Sequence, residues 1–202
     1  VLGSNQSLRS EVDLAAAAEL GFGVARRISG GGTMAVAPGE VVIWSLVVPE
    51  EAVRGLSFVE SFALLDAFAV RALRGLGVDA SYRPVNDIVS PGGKISGAAQ
   101  ARRRGVVLHH TTMAVSLDPS IVPRLIRIGR PSLSERGVRS AEKVVTPVAT
   151  LVPGLGVADV EAALLEAFGP ARRSEITRDE RVAAGELVIS KYATPEWLER
   201  IP

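Results

Sequence analysis

Three consecutive glycines directly after two arginines place the tightest local constraint on how this chain folds. The stretch reads Arg26-Arg27-Ile28-Ser29-Gly30-Gly31-Gly32. Because glycine has no Cβ, such a loop can adopt positive φ and press its backbone N–H groups against a phosphate or a carboxylate. The two arginines add fixed positive charge beside the loop. The stretch therefore predicts an anion-binding loop, with a mobile loop or a hairpin turn as the alternative interpretation.

The residues around the glycines predict where the loop lies. Gly23–Arg27 and Thr33–Val36 have the pattern of strands that enter and leave it, so we expect the loop between strands of one sheet. Since side chains alternate along a strand, Arg26 and Arg27 should point to opposite faces, and only one should reach a bound anion. The nearly continuous apolar run Val41–Val48 predicts a buried strand.

Apolar periodicity predicts the remaining helices and strands. The predicted helices are Leu14–Leu20 with Ser10 as its N-cap, Phe58–Leu76 ending at Gly77, Val157–Phe168, Thr177–Glu186 and Pro195–Arg200. The predicted strands are Asp87–Ser90, Lys94–Gln100 and Val106–Leu117. A Pro91-Gly92-Gly93 turn joins the first two into a hairpin that places Lys94 at the start of its second strand. Arg124–Gly137 is rich in Arg, Pro and Ser and predicts a surface connection.

Composition restricts the chemistry that is available. The 202 residues carry a formal net charge of +1, which provides no overall field toward nucleic acid or a membrane. The sequence shows neither a long apolar run nor a signal-peptide pattern, so we expect a cytoplasmic protein with no membrane partner. The absence of cysteine excludes disulfides, thiolate metal sites and a cysteinyl acyl-enzyme. Lysine is rare, and occurs only as Lys94, Lys143 and Lys191.

Four separated motifs, taken in order, resemble the lipoate-protein ligase A family. They are Arg26-Arg27-x-Ser29-Gly30-Gly31-Gly32, Asn86-Asp87, Lys94-Ile95-Ser96-Gly97-x-Ala99-Gln100 and His109-His110. Val1 to Gln6 is similar to the strand and turn before the family's first helix. Lys191-Tyr192 with Glu196-Trp197 is similar to the end of its catalytic domain. The resemblance therefore covers essentially all 202 residues, which we expect to form a single catalytic domain.

The resemblance implies both a fold and a reaction. The implied fold is α/β (α+β), a biotin/lipoate protein ligase-like catalytic domain with a mixed, largely antiparallel sheet flanked by helices. The implied enzyme is an ATP-dependent ligase that converts lipoate, or a related acyl acid, to an acyl-adenylate with loss of pyrophosphate. It then passes the acyl group to a lysine of a lipoyl domain, in a 2-oxoacid dehydrogenase complex or the glycine cleavage H protein. Mg2+ accompanies the ATP.

The resemblance also assigns site residues. Lys94 matches the catalytic lysine, which bridges the acyl carbonyl and the α-phosphate. Substrate and nucleotide contacts fall on Arg26, Arg27, Ser29, Gly30, Gly31, Gly32, Asn86, Asp87, Gly97 and His110, with Asp87 also a candidate Mg2+ ligand. The residue types suit the chemistry by themselves, because a carboxylate brought against a triphosphate requires charge neutralisation and alignment. For either His109 or His110, a buried structural role stays open beside substrate contact.

Some positions depart from the family pattern. Val36 and Ala37 stand where the family often has a histidine and an acidic residue, and Thr111 stands where glycine usually follows the paired histidines. Pro84-Val85 replaces the usual lead-in to Asn86. We expect these residues to make the pocket less polar. They favour an alternative function, a non-catalytic homologue that binds a lipoyl domain, an acyl-adenylate or another small acid.

Four further points concern related reactions, partners and the two ends of the chain. Octanoyltransferases of the same superfamily work through a cysteine nucleophile, which this sequence lacks. Arg102-Arg103-Arg104 predicts either a solvated loop or a surface for an acidic acceptor domain or pyrophosphate. The start at Val1 predicts a missing N-terminal segment. The end soon after Trp197 predicts that a C-terminal accessory domain is absent or is supplied by a separate subunit.

Overall fold

The computed structural model describes residues 1–201, which form two compact units interleaved along the chain. Unit 1 comprises residues 1–35, 120–142 and 171–201. Unit 2 comprises Val36–Pro119 and Lys143–Pro170. Neither unit is continuous in sequence, so long-range packing rather than chain order defines both of them.

The secondary structure of the described residues is mixed. The helices are α1 (Leu8–Glu11), α2 (Leu14–Glu19), α3 (Phe58–Leu65), α4 (Ala67–Gly75), α5 (Val122–Leu125), α6 (Val148–Leu151), α7 (Val157–Phe168), α8 (Arg178–Leu187) and α9 (Pro195–Leu198). The strands are β1 (Val41–Pro49), β2 (Ser81–Arg83), β3 (Asp87–Ser90), β4 (Gly93–Arg103) and β5 (Val106–Ala114). Within residues 1–201, no helix has both the length and the apolar character that crossing a membrane requires.

All the strands named above belong to one antiparallel sheet in unit 2, in the order β1-β5-β4-β3-β2. One face of this sheet packs against helices. Val42, Ile88 and Met113 on the strands form a core with residues of α4 and α7, including Leu73 and Leu164. Burial of this apolar surface stabilises the unit by about 25 cal/mol for each Å² that is removed from water. The face opposite α4 and α7 carries Asp87, Lys94, Gly97 and His110, and we call it the lysine face.

β1 confirms the predicted strand but not its predicted burial. It lies at the edge of the sheet and pairs with β5 alone among the named strands. Val42 is 5% exposed, whereas Ile43 and Val47 are 50% and 69% exposed. An apolar run is equally compatible with an edge strand, because the side of the sheet that receives cover depends on distant helices.

The predicted long helix from Phe58 divides at Asp66. α3 begins with a capping box between Ser57 and Glu60, and α4 ends before Gly77, whose φ of 83° confirms it as the stop. At the junction Asp66 has φ −98° and ψ 0°, and its side chain is 1% exposed. The carboxylate bonds to two residues of β5 instead of continuing the helical pattern. A buried side-chain interaction therefore competes with helix continuation at this point.

Unit 1 has its own core, made by Leu2, Leu8, Val12, Leu125 and Ile126. Ser10 is not the N-cap that was predicted. Ser7 accepts the capping hydrogen bond of α1, and Asp13 accepts that of α2. Ser10 is instead buried within α1.

The glycine loop also lies in unit 1, and the prediction that it joins strands of one sheet is wrong. The predicted strands on either side of the loop are irregular apart from a single parallel bridge between Leu2 and Arg26. Backbone pairing in this region is limited to the first residues of the chain: the Arg27 N–H donates to the Leu2 carbonyl at 3.0 Å, and the Met34 N–H donates to the Val1 carbonyl at 3.0 Å. Local β-pattern alone could not predict that this pairing stays too short to form a sheet.

Other predicted elements hold with adjusted ends. α7 has the predicted bounds, and the Asp87–Ser90 and Lys94 strands form the predicted hairpin through Pro91 to Gly93. α8 begins after its N-cap Thr177, whose hydroxyl accepts from the Glu180 N–H. The predicted surface connection from Arg124 includes part of α5, and Arg130 within it pairs with Asp13 at 2.7 Å.

Candidate functional site

A β-bulge in β4 sets the geometry of the lysine face. Ile88 pairs with Ser96 and the next residue, Val89, pairs with Lys94, so β4 contains one extra residue at this point. In a regular strand, residues three apart point to opposite faces. The extra residue brings Lys94 and Gly97 to the same face. No local pattern predicted this bulge.

Gly97 leaves room for the Lys94 side chain. A Cβ built on Gly97 would lie 2.8 Å from Lys94 Cε and still closer to Lys94 Nζ. Any larger residue at this position would displace the lysine. The close approach seen at Gly97 is that of the Lys94 side chain, and a substrate contact for Gly97 stays a prediction.

Asp87 holds two lysines at once. Its side chain is 3% exposed, and its Oδ1 lies 2.9 Å from Lys94 Nζ. Its Oδ2 contacts Lys143 Nζ. Both lysine side chains remain partly open to solvent, at 26% and 36% exposure. A buried carboxylate requires a charge partner, and here two ammoniums share one carboxylate.

Backbone pairing fixes where Lys143 enters. The Lys94 N–H donates to the Val144 carbonyl at 2.8 Å, and the Thr146 N–H donates to the Lys94 carbonyl at 2.8 Å. The Thr146 hydroxyl also donates to the Gly92 carbonyl at 2.7 Å. Residues 143–146 therefore run beside the start of β4. Sequence reasoning missed Lys143 as a site residue, and its only available signal was the rarity of lysine.

The structure separates the two adjacent histidines. His110 pairs with Ala99 in the sheet and is two residues from Thr112, which lies opposite Gly97, so His110 belongs to the lysine face. His109 points to the helix-covered face and is fully buried. Its Nε2 is 2.9 Å from Asp66 Oδ1, and Gln100 approaches its Nδ1 at 3.3 Å. His109 therefore has the buried structural role, and a substrate contact for His110 stays a prediction.

Thr111 does not line the lysine face, contrary to expectation. It is 1% exposed, and its hydroxyl donates to Asp66 Oδ1 at 2.8 Å. Because side chains alternate along β5, Thr111 and His109 share the covered face. The departure from the family pattern at this position therefore alters a buried polar network.

Asn86 holds the turn before β3 against β4 by hydrogen bonds. Its side-chain amide donates to the Ala98 carbonyl, and the Ala98 N–H donates to the Asn86 carbonyl at 2.9 Å. The turn that precedes β3 is thereby fixed to β4, which positions the neighbouring Asp87. A nucleotide contact for Asn86 remains a prediction.

The residues around Asp87 do not fit the Mg2+ site predicted there. Each of its carboxylate oxygens faces a lysine ammonium. Among residues 1–201, no group of three or more His, Asp or Glu side chains is arranged to hold a metal ion. Mg2+ prefers carboxylate oxygens and water, so a cation at Asp87 would have to displace both lysines.

In the glycine stretch of unit 1, Arg26 has a structural role. Its side chain is buried, with 3% exposure, and each guanidinium nitrogen donates to a backbone carbonyl. Nη1 reaches Gly3 at 2.9 Å and Gln6 at 2.6 Å, and Nη2 reaches Leu198 at 2.6 Å. The expectation that Arg26 contacts a ligand is therefore corrected, because two separate backbone segments, residues 3–6 and Leu198, already use its donors.

Arg27 instead braces the glycine loop. Its guanidinium donates to the Gly30 carbonyl at 2.6 Å, the Gly32 carbonyl at 2.8 Å and the Ser29 hydroxyl at 3.1 Å. Burial lowers the pKa of Arg27 to about 10, which leaves it charged at neutral pH. With these carbonyls bound on one side and Gly31 at φ 87°, the loop has a defined shape.

The buried carboxylate of Glu11 also supports the loop. Glu11 is 1% exposed and accepts from Gln6 Nε2 at 2.8 Å and Arg139 Nε at 2.9 Å. Ser140 donates its N–H to Glu11 at 3.2 Å and accepts from the Thr33 N–H at 2.9 Å. The residue after the last glycine is thus anchored through a network that no local motif revealed.

The triple-arginine run divides into two environments. Arg102 stacks 4.3 Å above the Phe58 ring and donates to the Ser61 hydroxyl at 2.8 Å. Arg103 and Arg104 are exposed, and Arg104 has φ 54° in the turn between β4 and β5. Only the last two residues therefore match the predicted solvated loop.

The described chain thus combines an antiparallel sheet flanked by helices and a lysine ion-paired beside a bulge, both in unit 2, with a braced glycine loop in unit 1. The model of the lipoyl protein ligase A/B catalytic domain matches residues 1–169. The chain therefore belongs to this family, which confirms the resemblance seen in the sequence. A relative named octanoyltransferase LipM, from Kyrpidia tusciae, is 31% identical, with 97% of this chain and 81% of the relative covered.

Solved structures confirm the expected fold class. A bi-partite lipoate protein ligase from Thermoplasma acidophilum, studied with its E2 lipoyl domain, has a TM-score of 0.82 at 28% identity, covering 98% of this chain and 78% of that one. A ligase from the same organism with bound lipoic acid has a TM-score of 0.82 at 27% identity, covering 100% and 81%. Lipoate-protein ligase A bound with ATP has a TM-score of 0.81 at 29% identity, covering 98% and 80%.

Proposed function

We propose that this chain is an ATP-dependent lipoate-protein ligase, which activates lipoate or a related acyl acid as its adenylate and transfers the acyl group to a lysine of a lipoyl domain. The observation that carries the proposal is the Lys94 ammonium on the lysine face, 2.9 Å from the buried Asp87 carboxylate and directly over Gly97. Family membership supports it, as do the similar ligases with bound lipoic acid and bound ATP.

The first step forms a mixed anhydride. A carboxylate oxygen of the acid bonds to the α-phosphorus of ATP, and the bond from that phosphorus to the leaving pyrophosphate breaks. No proton is transferred, so the residues of the protein serve to bring anions together and stabilise charge. Lys94 is suited to this because Asp87 holds its ammonium at a fixed position until an anion competes for it.

The second step forms an amide. The neutral amine of the acceptor lysine attacks the acyl carbonyl, the bond from the acyl carbon to the phosphate oxygen breaks, and AMP leaves while the amine loses a proton. Negative charge develops on the carbonyl oxygen during the attack. Lys94 stabilises that charge as a fixed cation.

The absence of cysteine bears on which reaction of the family this chain performs. A relative at 31% identity is named an octanoyltransferase, and a transferase that works through a cysteine would need a thiol. None of the 202 residues is a cysteine. The sequence therefore favours adenylate chemistry, in which ATP supplies the activation.

The proposed acceptor is a lipoyl domain, either of a 2-oxoacid dehydrogenase complex or of the glycine cleavage H protein. The similar Thermoplasma ligase was studied with an E2 lipoyl domain, which supports this class of partner. That ligase is also bi-partite. A separate subunit that works with this chain is proposed on the same ground.

The test is acid-dependent exchange of labelled pyrophosphate into ATP, measured with lipoate and with octanoate. We expect exchange that requires the acid, and lipoyl transfer to a lipoyl domain when one is added. Absence of exchange by the full-length protein, with and without a partner subunit, contradicts the proposal. Transfer of octanoyl groups from a carrier without ATP would identify the chain as a transferase.

The second candidate function is binding without turnover. Val36 and Ala37 continue to favour it, because they replace polar residues typical of the family, whereas the buried Thr111 no longer bears on the pocket. Tight binding of lipoate or of a lipoyl domain in calorimetry, together with no exchange, would support this candidate.

A further inference from the structure

We infer that Lys143 is a second catalytic cation, which binds the phosphate groups of ATP during adenylate formation. This inference rests on the proposed function and extends its site by one residue. Its starting point is the contact of Lys143 Nζ with Asp87 Oδ2, on the opposite side of the carboxylate from Lys94.

The charge balance at Asp87 separates this arrangement from an ordinary ion pair. A buried carboxylate is neutralised by one ammonium, and Lys94 already lies 2.9 Å from Oδ1. Lys143 brings a second positive charge to the same carboxylate. A like charge held near another is unfavourable unless an anion offsets it. The pair of lysines is therefore arranged to receive an anion.

Accessibility supports the same assignment. The Asp87 side chain is 3% exposed, but Lys143 and Lys94 are 36% and 26% exposed. The two cations can meet a ligand from solvent while the carboxylate stays beneath them. By contrast, Lys191 places its ammonium 4.3 Å from the Trp197 ring centre in unit 1, which is a packing interaction.

The position of Lys143 is also held firmly. Val144 and Thr146 exchange backbone hydrogen bonds of 2.8 Å with Lys94. A Cβ on Gly93 would meet the Val144 carbonyl oxygen at 2.7 Å, so the segment packs tightly against the start of β4. The two lysines are thus placed by one hydrogen-bonded ladder, which gives the rigidity that a charge-stabilising site needs.

The size of the charge facing Lys143 predicts which half-reaction depends on it. The first step brings a triphosphate against a carboxylate, whereas the second starts from an acyl-adenylate, whose mixed-anhydride phosphate carries a single negative charge. Loss of a cation should therefore impair adenylation more than transfer. Lys94, which contacts the reacting acyl group in both steps of the proposed mechanism, should affect both.

The experiment compares Lys143→Gln with the native protein in two assays. One is acid-dependent ATP–pyrophosphate exchange, and the other is single-turnover transfer from preformed lipoyl-adenylate to a lipoyl domain. We expect exchange to fall about 100-fold and transfer to fall less than about tenfold. Lys143→Arg, which retains the charge, should restore most of the exchange. Arg54→Gln is the control, because it removes a cation from an exposed pair with Glu51 in the same unit.

Several results would overturn the inference. Exchange by Lys143→Gln equal to that of the control shows that the charge is not used. Equal losses in both assays, or an arginine variant as impaired as the glutamine variant, indicate a role in packing alone. The thermal midpoint of each variant shows whether a loss of exchange comes from unfolding. If Lys143→Gln unfolds, the exchange rate of Lys143→Arg, which keeps the ion pair, tests the inference instead. Absence of exchange by the native protein refutes the proposed function itself, and this inference with it.

Discussion

Two regions of this molecule concentrate positive charge next to glycine, but they use it in different ways. In unit 1, Arg26 and Arg27 direct their donors into backbone carbonyls of their own unit. In unit 2, Lys94 and Lys143 share one buried carboxylate and remain partly exposed. The arginines shape a loop, whereas the lysines hold charge that an entering anion can use. Positive charge in a motif thus indicates a binding site only where its donors are still accessible.

The sharpest test of this comparison is Lys94→Ala. We expect acid-dependent ATP–pyrophosphate exchange to fall about 1,000-fold, because a preorganised cation at the reacting centre is lost. The thermal midpoint should change little, since Asp87 keeps its contact with Lys143. Unchanged exchange with a folded variant would leave a ligase but remove Lys94 from the mechanism.

The matching change in unit 1 is Arg26→Met, which should act on stability. It removes a buried guanidinium and leaves the carbonyls of Gly3, Gln6 and Leu198 without their donor. The free energy of unfolding should fall by about 3 kcal/mol, measured by urea denaturation. The control Arg124→Met breaks an exposed pair with Glu19 and should change it by less than about 1 kcal/mol. Equal stability of the two variants would contradict the structural role of Arg26.

Gly97→Ala tests the space beneath the lysine. The added methyl group would meet Lys94 Cε and Nζ, so the ammonium must move from its place over the sheet. We expect the kcat of the exchange reaction to fall about tenfold, because a displaced catalytic group loses its alignment with the substrate. Gly75→Ala in α4 is the control, since a Cβ there has open space, and it should be neutral or stabilising by up to about 1 kcal/mol. Full activity of Gly97→Ala would show that the lysine tolerates displacement.

Thr111→Val is expected to have the smallest effect, and it separates the two faces of β5. The hydroxyl that donates to the buried Asp66 is lost, so stability should fall by about 1 kcal/mol while exchange stays the same. Thr150→Val, at an exposed position of α6, serves as the control and should change neither. A selective loss of exchange in Thr111→Val would place this residue in the substrate site after all.

Local pattern predicted much of the fold. The bounds of α7, the strand at Val41, the hairpin through Gly93 and the stop at Gly77 all follow from periodicity and turn residues. The predictions that failed concern contacts with distant parts of the chain. The predicted strands around the glycine loop did not become strands of a sheet, and the predicted long helix divides at Asp66, whose side chain bonds to β5. Both outcomes depend on residues far away in the sequence.

The sequence by itself determined the family, the class of fold and the position of Lys94 at the start of a strand, because ordered motifs and residue periodicity are properties of the chain alone. Tertiary structure decided what surrounds that lysine. The bulge beside it, the second lysine at Asp87 and the placement of His109 rather than His110 against the helices all depend on how distant segments pair and pack. A shift of one residue in register exchanges the two faces of a strand, so only the folded pairing could show which charges are left accessible.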